Sequence, residues 1–272
     1  MKNIFIAVLG FLPLYYSSGP LKSERASNPE RIENLRNLKQ SAFKPGELLE
    51  YRIRYGLIEA GKAELEVKEI VNRSGRPSYH VVGTGRTLGM TEWFFKTRDR
   101  YESFIDTEAM VPWEFIRDVD EGGHKINRHL IFDQYQQTVR DLKAPKKGTF
   151  KYEAYAQDMI SAFYYARSWD ASKLKKGDEI SFTMFLDHEQ FPFKLVILGR
   201  KEIETDWGKI RCLALKPKLQ EGRVFDEEEG MIIYVSDDAN KVPVLIESSL
   251  FIGSVRVELT NFKGLRHKLS FK

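Results

Sequence analysis

One stretch limits the possible folds of this chain more than any other: Asp158–Asp170, DMISAFYYARSWD. Ile160, Phe163, Tyr164 and Arg167 recur at i, i+3, i+4 and i+7, and Met159, Ala162 and Ala166 widen the apolar face. Asp158 suits an N-cap, because its carboxylate can accept the free amide protons of a first turn. A helix apolar over most of its circumference has to be enclosed. Strand-like sequence runs on both sides of it, so the chain predicts a curved sheet holding a helix over 158–169.

From Gly46 the period is two. Leu49, Tyr51, Ile53 and Tyr55 face one way and Glu50, Arg52 and Arg54 the other, with Ala63, Leu65 and Val67 alternating after a Gly56–Gly61 turn. Further strands are expected near 78–87, 93–105, 112–119, 124–132 and 137–142. Beyond the helix they are expected near 179–187, 191–199, 201–206, 208–216, 230–236, 243–252, 254–262 and 266–271. Many short strands joined by tight turns form a meander that must curl or close. The expected fold is mainly β: an antiparallel meander curled into a half-barrel or open barrel around one central helix. A short helix precedes it, begun by Asn28, Pro29 and Glu30 and carrying Ile32, Leu35 and Leu38 as a narrow stripe.

Three segments result: a signal peptide over 1–19, a charged linker or short helix over 20–45, and one β domain over 46–272. Lys2 followed by the apolar run Ile4–Tyr15 and then Ser17, Ser18 and Gly19 has the build of a secretory signal, too short to span a bilayer. The mature chain is expected to begin between Ser17 and Lys22, with no transmembrane anchor left. The single cysteine, Cys212, allows no internal disulfide and lies too far from the N-terminus to carry a lipid. The expected address is the periplasm, as a soluble protein that is not a lipoprotein. Lys and Arg number 43 against 39 acids, well mixed, which excludes a nucleic-acid stripe.

No catalytic motif stands out. The five histidines form no HxH or HxxxH pair, so neither a metal nor another cofactor is called for. Asp99, Asp158, Asp237 and Asp238 sit at strand ends or caps with Arg98 and Arg167 as partners. They read either as a structural polar network or as paired acids able to hydrolyse a glycosidic bond. Aromatic residues are the better binding candidates: Tyr51 and Tyr55 on the first strand, Trp93 and Phe94 in LGMTEWFF, and Tyr164 with Arg167 on the helix. Tyrosine offers a polar tip on an apolar body, which suits a pocket lining and equally the packing of a helix on a sheet.

Five segments together carry a resemblance: PGELLEYRIRYGLIEAGKAELEV (45–67), KTRDRYESFID (96–106), DMISAFYYAR (158–167), GRVFDEEEGMIIYVSDDANKVPV (222–244) and IGSVRVEL (252–259). They resemble the bacterial exported family called domain of unknown function 3108. The resemblance implies a bent antiparallel sheet about a helix and supplies no activity and no catalytic residues. The functional expectation is a non-enzymatic envelope protein that binds a hydrophobic or polymeric ligand, lipid or polysaccharide, in its concave sheet. A polysaccharide hydrolase and a structural interaction module are the alternatives. The sequence carries no signature of an oligomeric state.

Overall fold

A computed structural model describes residues 31–144, 148–219, 230–250 and 253–271. The expected signal peptide, its cleavage region and the Asn28–Glu30 helix start lie outside these residues. Fourteen strands follow in chain order. They are β1 (Glu47–Tyr55), β2 (Ile58–Arg73), β3 (Arg76–Thr87), β4 (Thr97–Asp106), β5 (Pro112–Glu121), β6 (His124–Asp133), β7 (Thr138–Asp141) and β8 (Thr149–Lys151). After these come β9 (Glu179–Leu186), β10 (Glu189–Thr205), β11 (Gly208–Leu219), β12 (Met231–Ser236), β13 (Pro243–Ser249) and β14 (Ser254–Lys263). Helix α1 (Gly89–Phe94) precedes β4, and α2 (Met159–Ala166) separates β8 from β9.

All strands join one antiparallel sheet, ordered β8-β7-β6-β5-β4-β3-β2-β1-β14-β13-β12-β11-β10-β9. The first and last strands thus pair in the middle, Leu49 opposite Phe262 and Ile53 opposite Val257. The ends of the sheet approach each other beyond β8, where Gln157 exchanges two 2.8 Å backbone bonds with Thr183 and Phe185 of the β9 segment. Side chains extend that seam. Thr183 Oγ1 donates to Glu153 at 3.0 Å, and His188 pairs with Asp141 at 2.9 Å while stacking on Phe150.

Alternation decides which side chains enter the core. On β1, Leu49, Tyr51 and Ile53 are buried, while their neighbours Glu50, Arg52 and Arg54 are half-exposed. Two expected strands, 191–199 and 201–206, are one strand, β10, bent where its register shifts between Ile197 and Gly199. Gly199 holds φ +126°, which a side chain would oppose. Three residues expected in no strand, Thr149–Lys151, extend the sheet as β8.

Other expectations need correction. The described part of 20–45 contains no helix. Instead the backbone of Ile32 and Leu38 bonds to Tyr135 and Glu108, and Arg36 lies over the rings of Tyr155 and Tyr165. Ala42 and Phe43 are fully buried, so the end of this segment belongs to the core. A three-residue stripe lacks the area to hold a helix on a surface, whereas an extended chain satisfies its backbone on the loops it crosses.

The expected strand at 266–271 is a single bridge, Phe271 to Ile210. Both edges of β14 are already taken by β1 and β13, so this tail bonds side chains instead: His267 N to Asn240 and Ser270 N to Asp238. The turn into it needs Gly264, where a Cβ would meet Gly46 O at 1.9 Å.

LGMTEWFF also departs from expectation, since 89–94 is helix α1 and β4 begins only at Thr97. Met90, Trp93 and Phe94 are spaced i, i+3, i+4, the helical period, where the broken alternation suggested a strand start.

Candidate functional site

Helix α2 begins at an N-cap that the sequence encodes locally. Asp158 Oδ1 accepts from the amides of Ile160 and Ser161 at 2.7 and 2.8 Å, and Ser161 Oγ accepts from the Asp158 amide at 2.8 Å. This reciprocal box satisfies donors that would otherwise be stranded in the core. Ser103 on β4 adds a bond to Asp158 Oδ2 at 2.7 Å. Burial pushes the Asp158 carboxyl up to about 6, against the opposing effect of these hydrogen bonds. Met159 through Tyr165 are all buried.

The other end of α2 is held by charge. Arg167 forms a bidentate pair with Glu47 of β1 at 2.6 and 2.8 Å, and its Nε donates to Asn240 O at 2.9 Å. Both partners are buried. Tyr51 lies beside this pair and donates to Pro243 O at 3.2 Å. Tyr164 packs edge-on against Phe43, and its buried hydroxyl has no hydrogen-bond partner among the described residues.

Between α2 and strands β9–β12 lies an apolar cavity of about 60 Å³. Met159, Ala162, Phe163 and Ala166 supply its helix side, and residues such as Phe182, Phe193, Leu213, Leu215 and Ile233 its sheet side. Among the described residues, Arg167 and Lys241 are the only charged ones in its lining. That volume is several times the ~10–15 Å³ needed to place one water, yet the walls offer almost nothing to bond it. Such a space favours apolar matter.

The residues expected to bind ligand therefore divide. Arg167 is in the cavity lining, and Tyr51 and Tyr164 are buried in the core outside that lining. Tyr55 is half-buried at the other end of β1, with its ring against Gly253. Trp93 and Phe94 are 87% and 83% exposed on α1, and the exposed Leu57 and Ile58 lie at the same end of the sheet. There Leu88 N bonds to Ala60 O at 3.0 Å. They form an outer patch and do not line the cavity.

The expected polar network is likewise several separate features. Arg98 pairs with Glu92 of α1 near the surface. Asp237 binds Arg200 and Arg211 at 2.9 Å each. Asp238 closes the turn after β12 by accepting from Asn240 N at 2.9 Å. Asp99 alone points to a second interior group. It shares the inward face of β4 and β5 with Tyr101, Arg117 and Glu121, all nearly without solvent contact. Burial and the neighbouring Glu121 push the Asp99 carboxyl up to about 8, and burial raises that of Glu121. Among the described residues Asp99 Oδ1, Glu121 Oε1 and Arg117 Nε have no hydrogen-bond partner, while Arg117 Nη1 reaches Asp187 at 3.3 Å. A glycosidic bond would need two carboxylates facing an open cleft, and this pair is shut away from solvent.

Glu47, Lys241, Arg117 and Glu121 were not singled out from the sequence. The inward positions of Arg117 and Glu121 could have been found from their alternation with Asp118 and Asp120. Lys241 in a polar turn carries no such signal. Among the described residues no cluster of histidine, cysteine or acid is arranged to hold a metal, and no helix is long and apolar enough to cross a membrane.

An open, fourteen-stranded antiparallel sheet with an apolar cavity against a buried helix defines a β-barrel-like protein. The chain belongs to the family described as "Protein of unknown function (DUF3108)", whose profile matches residues 50–260. Its fold is similar to that of a β-barrel-like protein of domain of unknown function DUF1849 from Brucella abortus. The TM-score is 0.51 at 12% identity, covering 85% of this chain and 99% of that one. Looser overlaps are found with a structure described as "a putative lipoprotein" from Parabacteroides distasonis (TM-score 0.30, 10% identity, 85% of this chain and 100% of that one). Another is a structure described as "a putative exported protein with YmcC-like fold" from Bacteroides fragilis (TM-score 0.33, 9% identity, 84% and 99%). No curated protein matches the chain.

Proposed function

We propose that this is an exported, non-enzymatic envelope protein that holds an apolar ligand chain in the cavity between α2 and β9–β12. In this reading the sheet curls around α2 as its central helix, and the helix serves as the inner wall of the binding site. The observation that carries the proposal is the cavity lining: four α2 residues and a set of aliphatic and aromatic strand residues face a space with almost no polar group. The burial of Met159 through Tyr165 and the ties of the helix ends to β1, β4 and the β9 segment support the enclosing sheet. The basic start and apolar run of residues 2–15 support export.

The test is a titration with an uncharged long-chain fluorescent probe, comparing wild type with Ala166→Leu, which fills part of the cavity. Saturable binding that weakens in the variant, with an unchanged thermal transition, supports a carrier. Failure of the wild-type protein to bind such a probe overturns the reading. In that case the exposed group Leu57, Met90, Trp93 and Phe94 makes an interaction module the better account.

A further inference from the structure

We infer that the ligand of this cavity is a single apolar chain ending in an anion, a carboxylate or a phosphate, and that Lys241 is the residue that reads its head. The inference rests on the cavity being a binding site.

Two cations line an otherwise apolar space, and they are not equivalent. Arg167 is committed: its guanidinium is bonded to both oxygens of Glu47 and to Asn240 O. Lys241 is not. Its ammonium touches Ala239 O at a long 3.4 Å, and among the described residues it makes no ion pair. It is also half-buried.

The surroundings make that charge costly. Burial is the main cause that lowers the pKa of Lys241, and the positive charge of Arg167 lowers it further. Asp170 and Asp238 act in the opposite sense without reaching contact. A partly desolvated ammonium beside a second cation is unfavourable until an anion pairs with it.

Nor is the position accidental in the backbone. Lys241 sits at φ +51°, the left-handed region that residues with side chains avoid, in the turn between β12 and β13. Asp238 Oδ1 holds the turn by accepting from the amides of Asn240 and Lys241, and the buried Ser236 Oγ accepts from Val242 N. The following strand begins at Pro243, itself in the cavity wall. The strained turn thus sets Lys241, whose ammonium makes no ion pair among the described residues, in the wall of an apolar space. An amphiphile with an anionic head suits both the apolar wall and the cation at its margin, whereas a neutral or cationic head leaves Lys241 without a counter-charge.

The experiment uses the full mature chain and four ligands of equal chain length: dodecanoate, dodecyl phosphate, dodecanol and dodecyltrimethylammonium. Each is titrated calorimetrically into wild type, Lys241→Met and Lys241→Arg, with thermal transitions recorded for all three. The expected result is binding of the two anions about tenfold tighter than dodecanol, a difference of about 1.4 kcal/mol. The cation should be weakest. Lys241→Met should bring the anions down to the level of the alcohol, and Lys241→Arg should keep the preference. A stronger preference for the carboxylate points to a free fatty acid, and for the phosphate to a phospholipid-like head. Equal binding of acid and alcohol by wild type, or an anion preference that survives Lys241→Met, overturns the role of Lys241 while the cavity stands as a chain-binding site. Binding of none of the four overturns the cavity reading itself.

Discussion

Arg167 and Glu47 are joined by two charge-assisted hydrogen bonds of 2.6 and 2.8 Å inside the core, across 120 residues of sequence. The pair ties the end of α2 to β1 in the middle of the sheet, and Asn240 O and Tyr51 stand beside it. Two charges taken out of water are tolerated only with this kind of geometry.

Removing one partner should therefore cost far more than removing both. Glu47→Ala leaves a buried guanidinium uncompensated and should lower stability by about 3–5 kcal/mol. Combining Glu47→Leu with Arg167→Met should restore much of that loss. Urea unfolding of the single and double variants measures the difference. A double variant as unstable as the single would mean that the ion pair is not what holds α2 to β1.

Tyr164 and Tyr51 form a contrasting pair. The Tyr164 hydroxyl is buried without a partner among the described residues, while that of Tyr51 donates to Pro243 O at 3.2 Å. An unpaired buried hydroxyl costs roughly 1–3 kcal/mol, so Tyr164→Phe should leave stability unchanged or raise it. Tyr51→Phe should lower it by about 1 kcal/mol. A marked loss in Tyr164→Phe would show that its hydroxyl has a partner, such as a bound water.

Asp99 makes stability depend on pH in a direction opposite to that of most carboxylates. Its folded value, about 8, lies above the ordinary 3.8, so the folded protein keeps a proton that the unfolded chain releases. The contribution is fully present below the ordinary value and is lost as pH rises through about 8. Denaturation midpoints should fall between about pH 5 and about pH 9, and Asp99→Asn should flatten that fall. Part of the slope should remain through Glu121, whose carboxyl is raised as well. A wild-type midpoint that rises over this range would contradict the buried, protonated state of Asp99.

The sequence alone determined the parts of this protein that depend on neighbours in the chain. The alternation of Leu49, Tyr51 and Ile53 specifies a half-buried strand wherever it is placed. Asp158 and Ser161 specify a helix start because the bonds they make reach only three residues. The mainly β class followed from such patterns, and the family from the resemblance carried by five longer segments. Tertiary structure decided everything that required two distant segments to meet. Glu47 is one more acid in an alternating strand until the β1 register and the end of α2 bring Arg167 to it. Trp93 and Phe94 look like pocket residues until the pairing of β3 with β4 leaves their short helix outside. Lys241 reads as a solvated turn residue until β12 and β13 place that turn in the wall of an apolar space. Local patterns record what a residue prefers in water, but desolvation and charge pairing depend on neighbours that only the folded sheet supplies.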